Sequence, residues 1–433
     1  MPKSLPAVSV ILFLSVAFAQ DTARNHVPRL TPAEWREDLH VLATEVARRH
    51  KDAFHFTPKA QFDGAVSDLD RRIPQLQGYE IMIGMMHILA MVGDGHTRSD
   101  DLFNSFSQFP IDLYWFGGEL RIIRTTREYK AALGGRVVAI GDMPITLADQ
   151  KVRRLIEKHE TEGWIKRFSA YYLSSPEILK YFGVTSDLEH ATYVIENAGR
   201  RQAIVFESIP YNAEPEYIDA DVRVPLYRED TKKVWLRYLE DSKLIYLAFN
   251  SYPAAEDLKS IAADLFALLD AHPDGALVID FRNNGGGDYI RFDEILLDGL
   301  RKRKWLYQRG NLFGLIGRKT FSAAMMNALQ LRQEMRGILV GEPTGARPNS
   351  YSEAAHFTLP NSQFEVTYSR LYYHLVPGNP AGVIPDKLLP PTWSDYRLGN
   401  DSALNWIIGR LSVNKRVHSR VLAKPDHTPP AIH

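Results

Sequence analysis

The chain is predicted to be an α/β protein with a helical N-terminal part, on three observations. Over its last 200 or so residues strand and helix patterns alternate, which argues for a sheet covered by helices. Its 433 residues exceed the usual size of one core. Before residue 100 the apolar residues recur at helical spacing, and from Phe109 they change to strand-like runs.

The elements follow in order. Lys3, the apolar run Ala7 to Phe18 and the small-x-small pattern Ala17-Phe18-Ala19 read as a secretory signal peptide over residues 1–19. The run is shorter than the roughly 20 residues of a spanning helix. The mature chain is therefore expected in the periplasm or outside the cell, with no membrane span. Thr31-Pro32-Ala33-Glu34 has the form of a capped helix start. Leu39, Leu42, Ala43 and Val46 continue it, and Phe62 to Ile73 and Tyr79 to Met91 predict two more helices. Together residues 20–105 form an expected helical domain that carries the loop Gly93-Asp94-Gly95-His96-Thr97.

Ile111 to Phe116, the Gly117-Gly118 turn and Leu120 to Ile123 predict a hairpin that opens a mixed β module over residues 106–230. Leu147 to Ile156 within it reads as a helix. The α/β domain is placed at 231–412, with strands Leu244–Phe249, Ala276–Phe281 and Gly337–Val340. Its helices are Glu256–His272, Arg291–Leu300 and Ser322–Met335. Residues 413–433, with Pro425, Pro429 and Pro430, are expected to be a loose tail.

Composition excludes several functions. Lys and Arg number 52, as do Asp and Glu, so charge gives no reason to expect a nucleic-acid partner. With no cysteine, a thiol nucleophile, a disulfide framework and a thiolate-bound metal are ruled out. His50 and His55 are close in sequence, yet the spacing of known metal motifs is absent, and they read as helix-end and loop residues. No metal or cofactor is expected.

Three segments carry chemistry. The buried strand Leu277-Val278-Ile279-Asp280-Phe281 runs into Arg282-Asn283-Asn284-Gly285-Gly286-Gly287, where glycines let backbone N–H groups approach a ligand closely. Neither a dinucleotide fingerprint nor a Walker loop fits this spacing. Ser322 opens a helix of good formers, which suits either an N-cap or a nucleophile beside the positive end of the helix dipole. His96, beside Gly95, is of the residue type best suited to proton transfer near neutrality.

Taken together, these segments resemble the tail-specific and tricorn-like serine peptidase family, which also contains the interphotoreceptor retinoid-binding module. The resemblance lies in Gly93 to Thr97, Ile279 to Gly287, Phe321-Ser322-Ala323-Ala324 and Val340-Gly341-Glu342-Pro343-Thr344-Gly345. Weaker matches follow at Leu359 to Ser362 and Val383 to Asp386. In family order they span roughly residues 85 to 400. The resemblance implies a crotonase-like catalytic domain of ββα spirals, a helical cap, and a PDZ-like module for which Phe109 to Ile156 is the candidate.

It also implies roles: Ser322 as nucleophile, His96 as base, the Gly286 and Ala323 amides as oxyanion donors, and a peptide or protein as substrate. One branch of the family has its basic lysine 25 positions after the serine, where this chain has Arg347, which cannot accept a proton. Lys319, one turn before Ser322, is a weaker base candidate than His96. The tricorn-like branch has a serine before its histidine, and here that residue is Gly95. Asp94, Glu342, Glu353 and Asp386 stay open as the carboxylate that orients His96. A non-catalytic binding module on the same fold is the competing reading.

Overall fold

A computed structural model describes residues 26–422 apart from residue 211, and gives side chains as far as residue 412. The predicted signal peptide and the end of the predicted tail lie outside the described residues. Among those described, no helix is long and apolar enough to cross a membrane.

Helix α1 (Pro32–Arg49) starts at a capping box: Thr31 Oγ1 accepts the Glu34 N–H at 3.3 Å, and Glu34 Oε2 accepts the Thr31 N–H at 2.6 Å. Its stripe of Leu39, Leu42 and Val46 is fully buried. Helix α2 (Lys59–Arg72) packs beside it. Helix α3 (Gly78–Ala90) is apolar on nearly every face, so it is the helix buried by its neighbours. After α3, Gly93 turns the chain at φ +104° into the His96 loop, and the short α4 (Asp100–Asn104) follows.

The middle segment is an antiparallel sheet backed by helices. Strands β1 (Ile111–Phe116) and β2 (Glu119–Thr126) pair in register from Ile111 with Thr125 to Phe116 with Glu119. The sheet continues through β3 (Arg136–Ile140), β5 (His190–Asn197) and β6 (Arg200–Glu207). The short β4 (Met143–Pro144) pairs with β3, and β7 (Tyr217–Asp219) with β2. Helices α5 (Ile145–Val152), α6 (Glu162–Tyr172) and α7 (Pro176–Tyr181) lie between β4 and β5 in sequence.

A second sheet holds β8 (Val234–Leu239), β9 (Leu244–Phe249), β10 (Ala276–Asp280), β11 (Leu312–Ile316), β12 (Ile338–Gly341) and β15 (Lys387–Leu388). Their spatial order is β15-β12-β11-β10-β9-β8, parallel except for β8 against β9. Between these strands run α8 (Ala255–Ala271), then α9 (Tyr289–Phe292) and α10 (Asp298–Arg301) joined by a π turn over Asp293–Leu297, then α11 (Ala323–Met335). After β12 come a hairpin of β13 (Asn349–Thr358) with β14 (Glu365–His374), α12 (Trp393–Leu398) and α13 (Ser402–Leu422).

All residues of β9 to β12 are buried, as expected of parallel strands covered on both faces. Alternate side chains enter two cores. Ile245, Leu247, Leu277, Ile279, Ile316 and Leu339 join one continuous core that runs from Trp35 of α1 to Val383. Tyr246, Val278, Phe313 and Val340 face the other way, onto Ala403, Leu404, Ile407 and Leu411 of α13. The helical part, the middle sheet and the parallel sheet are thus packed together by apolar burial. Helix α13 runs past residue 413, where the loose tail is expected to begin; its buried residues Ala403 to Leu411 close the outer face of the sheet.

Candidate active site

Three loops meet beyond the carboxyl ends of the parallel strands. The first leaves β10. Asp280 accepts from Tyr246 Oη at 2.6 Å and from Arg282, whose guanidinium also reaches Asp401 at 2.7 Å, so the strand end is held from both sides. Asn284 is fully buried and binds three segments. Its Nδ2 donates to the Phe249 carbonyl at 2.8 Å, its Oδ1 accepts the Gly286 N–H at 2.9 Å, and its carbonyl accepts the Phe321 N–H at 3.1 Å. Gly286 has φ +111°, and a Cβ there would lie 2.7 Å from Ser322 Cβ.

The second loop leaves β11, a strand the sequence reading had passed over. Thr320 Oγ1 donates to the Phe281 carbonyl at 2.9 Å and accepts the Gly317 N–H at 2.9 Å, which fixes the approach to Ser322. Ser322 itself has φ +50° and ψ −126° and makes no side-chain cap to α11. A non-glycine residue in that region is strained by roughly 1–3 kcal/mol. The N-cap alternative is thereby removed, since its hydroxyl is directed elsewhere. The Ala323 amide, first of α11, has no acceptor within the helix.

The hydroxyl meets His96: Ser322 Oγ and His96 Nε2 are 2.9 Å apart, though the residues are 226 positions apart in sequence. The His96 loop is clamped by groups from distant segments. Thr367 Oγ1 of β14 donates to the His96 carbonyl at 2.8 Å. Asp94 is buried and accepts from His50 Nε2 (2.9 Å), Thr97 Oγ1 (2.9 Å), Ser369 Oγ (2.6 Å) and the His96 N–H (3.1 Å). Burial opposes its charge, yet these donors, His50 first, hold the Asp94 carboxyl below its usual range. His50 Nδ1 accepts the Asp52 N–H at 2.9 Å, which leaves Nε2 to donate to Asp94. His50 is indeed at a helix end, but it is also the buried partner of Asp94, a role its sequence neighbourhood did not signal.

Burial, aided by the Arg98 charge, lowers the pKa of His96; Asp94, the Tyr351 backbone and Glu353 pull the other way. Its Nδ1 is buried and meets no acceptor at hydrogen-bond geometry. None of the four candidate carboxylates contacts the ring. Asp94 reaches only the backbone of His96. Glu342 is forked onto Arg318 at 2.9 Å through both oxygens, and Asp386 accepts the Leu339 N–H at 2.9 Å. Glu353, at φ +58°, accepts from Tyr373 Oη at 2.7 Å.

Gly95 is explained by packing. A Cβ there would lie 2.9 Å from both Phe321 Cζ and Trp164 Cζ2, two rings that stack at 4.2 Å, and Phe321 also packs on His96 at 4.8 Å. The space a serine side chain would take is filled by aromatic rings. No side-chain hydrogen bond joins Arg347 to Ser322 among the described residues; its charge, after burial, depresses His159. Lys319 lines a cavity beside β11 rather than meeting Ser322.

Under the His96 loop lie two buried acids. Glu160 accepts the Gly95 N–H at 2.9 Å, and Glu157 accepts Trp164 Nε1–H at 2.9 Å. Burial pushes Glu157 up to about 7 and Glu160 up to about 8. A carboxyl whose folded pKa is raised contributes its stability fully below the unfolded value and loses it as pH rises through the folded one. For Glu160 that window runs from 4.5 to about 8. From pH 5 to 8.5 the stability of Glu160→Gln should gain on that of the native chain by about 2 kcal/mol or more, read by urea unfolding. A constant difference across that range would contradict the assignment.

No family model matches the sequence, and neither does any curated protein. Solved structures do. Mature CPAF complexed with lactacystin matches with a TM-score of 0.58 and 12% identity, covering 90% of this chain and 99% of that one. Mature CPAF alone gives a TM-score of 0.57 at 12% identity, with 92% and 99% covered. The chain has the CPAF fold. The tricorn protease also matches, at a TM-score of 0.42 and 13% identity, over 89% of this chain and 37% of that one. Against the CPAF fold this chain aligns through all three of its parts, since almost the whole of both chains is covered.

Proposed function

We propose that the protein is a serine peptidase that cleaves a peptide bond through an acyl-enzyme on Ser322. The observation that carries this reading is the 2.9 Å approach of Ser322 Oγ to His96 Nε2, with the serine in a strained, uncapped conformation. The resemblance of three motifs to tail-specific and tricorn-like peptidases, and the CPAF fold, agree with it. Export, a crotonase-like ancestry for the parallel sheet and a PDZ-like origin for the middle sheet belong to the same proposal.

In the first half-reaction His96 Nε2 takes the Ser322 hydroxyl proton while Oγ bonds to the carbonyl carbon, whose π electrons move onto oxygen. Collapse of this adduct breaks the C–N bond, and the leaving amine takes the proton from His96. Water repeats the sequence against the acyl ester, freeing the acid and restoring Ser322. We take the Ala323 amide, first of α11, as one oxyanion donor. Gly286 becomes the second by exchanging Asn284 Oδ1 for the oxyanion. We assign support of the imidazolium to the charges of Asp94, the larger effect, and Glu353, while Glu342 and Asp386 are tied elsewhere.

Fluorophosphonate labelling tests this. The chain should react at Ser322, and Ser322→Ala and His96→Ala should each lose about 10^4-fold or more in labelling rate. Unlabelled protein, or label persisting in Ser322→Ala, would leave only the binding-module reading. The labelling rate should fall at acid pH with a midpoint below 6.5, because a base of lowered pKa stays neutral further into acid.

A further inference from the structure

Between the middle sheet and the parallel sheet lies a cavity of about 850 Å³, bounded by β1, α6 and the carboxyl ends of β11 and β12. Most of its cations are neutralised by the protein itself: Arg318 by Glu342, Arg282 by Asp280 and Asp401, Arg124 by Asp112. Lys166 and Lys319, also in the lining, form no ion pair among the described residues, and Arg167 differs from them in having a buried nitrogen without a partner. Among the described residues no carboxylate forms an ion pair with Arg167, and its Nε is the buried atom without a hydrogen-bond partner. It shares an aromatic platform with Arg98. The Arg98 guanidinium lies 5.7 Å from the Trp164 ring and 5.2 Å from Phe168, and that of Arg167 lies 5.9 Å and 5.3 Å from the same two rings. The ion-pair partner of Arg98 is Asp100, which is 63% exposed.

Two like charges on one platform, one of them lacking a counter-ion, are a costly arrangement unless an anion visits. Planar guanidinium forks fit a carboxylate in particular. Trp164 stacks on Phe321, which packs on His96, and Arg98 follows His96 by two residues, so the platform adjoins the candidate base.

We infer that this cavity is a binding site for a carboxylate of the polypeptide substrate, received by Arg167 and Arg98. The inference rests on the peptidase reading for the identity of the ligand. The carboxylate is that of an Asp or Glu side chain, and the test separates it from the chain terminus.

The full chain carrying Ser322→Ala, which prevents turnover, is titrated against four fluorescein-labelled decapeptides. These are a glutamate-rich one, its glutamine counterpart, and the C-terminal amides of both. A carboxylate should strengthen binding about 10-fold or more, less so as salt is raised. Loss on Glu-to-Gln replacement is the expected result, and loss on amidation alone would overturn the inference. Arg167→Gln should erase the preference, and Arg167→Lys should restore only part of it, since the ammonium lacks the fork.

Equal affinity of all four peptides, within about 2-fold, would overturn the site, as would a preference unchanged in a folded Arg167→Gln. If Arg167→Gln does not fold, the four-peptide comparison decides alone. Because binding is read without catalysis, a chain whose Ser322 does not label but which still prefers carboxylates loses the peptidase and keeps the site. The reverse pattern loses the site and keeps the peptidase.

Discussion

Gly286→Ala is expected to reduce labelling of Ser322 by about 100-fold or more, while Gly285→Ala, one residue away, stays within about 2-fold of the native rate. The difference is steric. At 286 an added Cβ meets Ser322 Cβ at 2.7 Å and the Phe321 carbonyl at 3.1 Å, on a backbone at φ +111° that side chains rarely tolerate. At 285 nothing lies within 4 Å. Relief at 286 requires movement of Ser322, and a displacement of about 1 Å at a reacting atom can cost about 100-fold. Strain of about 1–3 kcal/mol adds a measurable fall in melting temperature. Equal labelling of the two variants would show that Ser322 does not react in the position described.

The second large effect is expected at Asp94. Asp94→Asn loses a buried charge that four donors converge on, and should destabilise the chain by about 3–5 kcal/mol. Because Asp94 raises the His96 pKa, the acid limb of labelling should also move to lower pH in this variant. His50→Gln should lose about 2–3 kcal/mol. In the double variant the losses should be far from additive, since both changes break one hydrogen bond. Additive losses in denaturant unfolding, with an unmoved pH midpoint, would separate His50 and Asp94 from the positioning of His96.

Much of this was legible before any coordinates. The Thr31 capping box, the β1–β2 hairpin and strands β9, β10 and β12 are short-range signals; the last three lie within a residue of their reading, and β2 runs three residues past its own. Strand β11 is not legible in the sequence because the four apolar residues around Gly314 carry no alternation. The glycine is there for close packing, as a Cβ would lie 2.7 Å from Leu339 Cδ2 of β12. Helix α13 had a readable stripe in Ala403, Leu404, Ile407 and Leu411, overlooked for the proline-rich end that follows.

For the site, residue type and motif order singled out Ser322 and His96. What holds them could not be read. His50, Thr367, Ser369 and Glu160 are 44 to 275 positions from the loop groups they bind, and each is an ordinary polar residue in its own neighbourhood. Gly95 looked like a missing functional group, and only the packing of Phe321 and Trp164 shows it to be a required absence of side chain.

The clamp on the His96 loop also sets a timetable. Thr367 emerges from the ribosome 271 residues after His96, and Ser369 emerges 275 residues after Asp94. Pairings this remote in sequence form late, after long loops have closed. A partly made chain therefore carries Ser322 without a seated base, whatever its N-terminal helices have already done. On the proposed peptidase reading, Ser322 would become reactive only when nearly all of the chain has been synthesised.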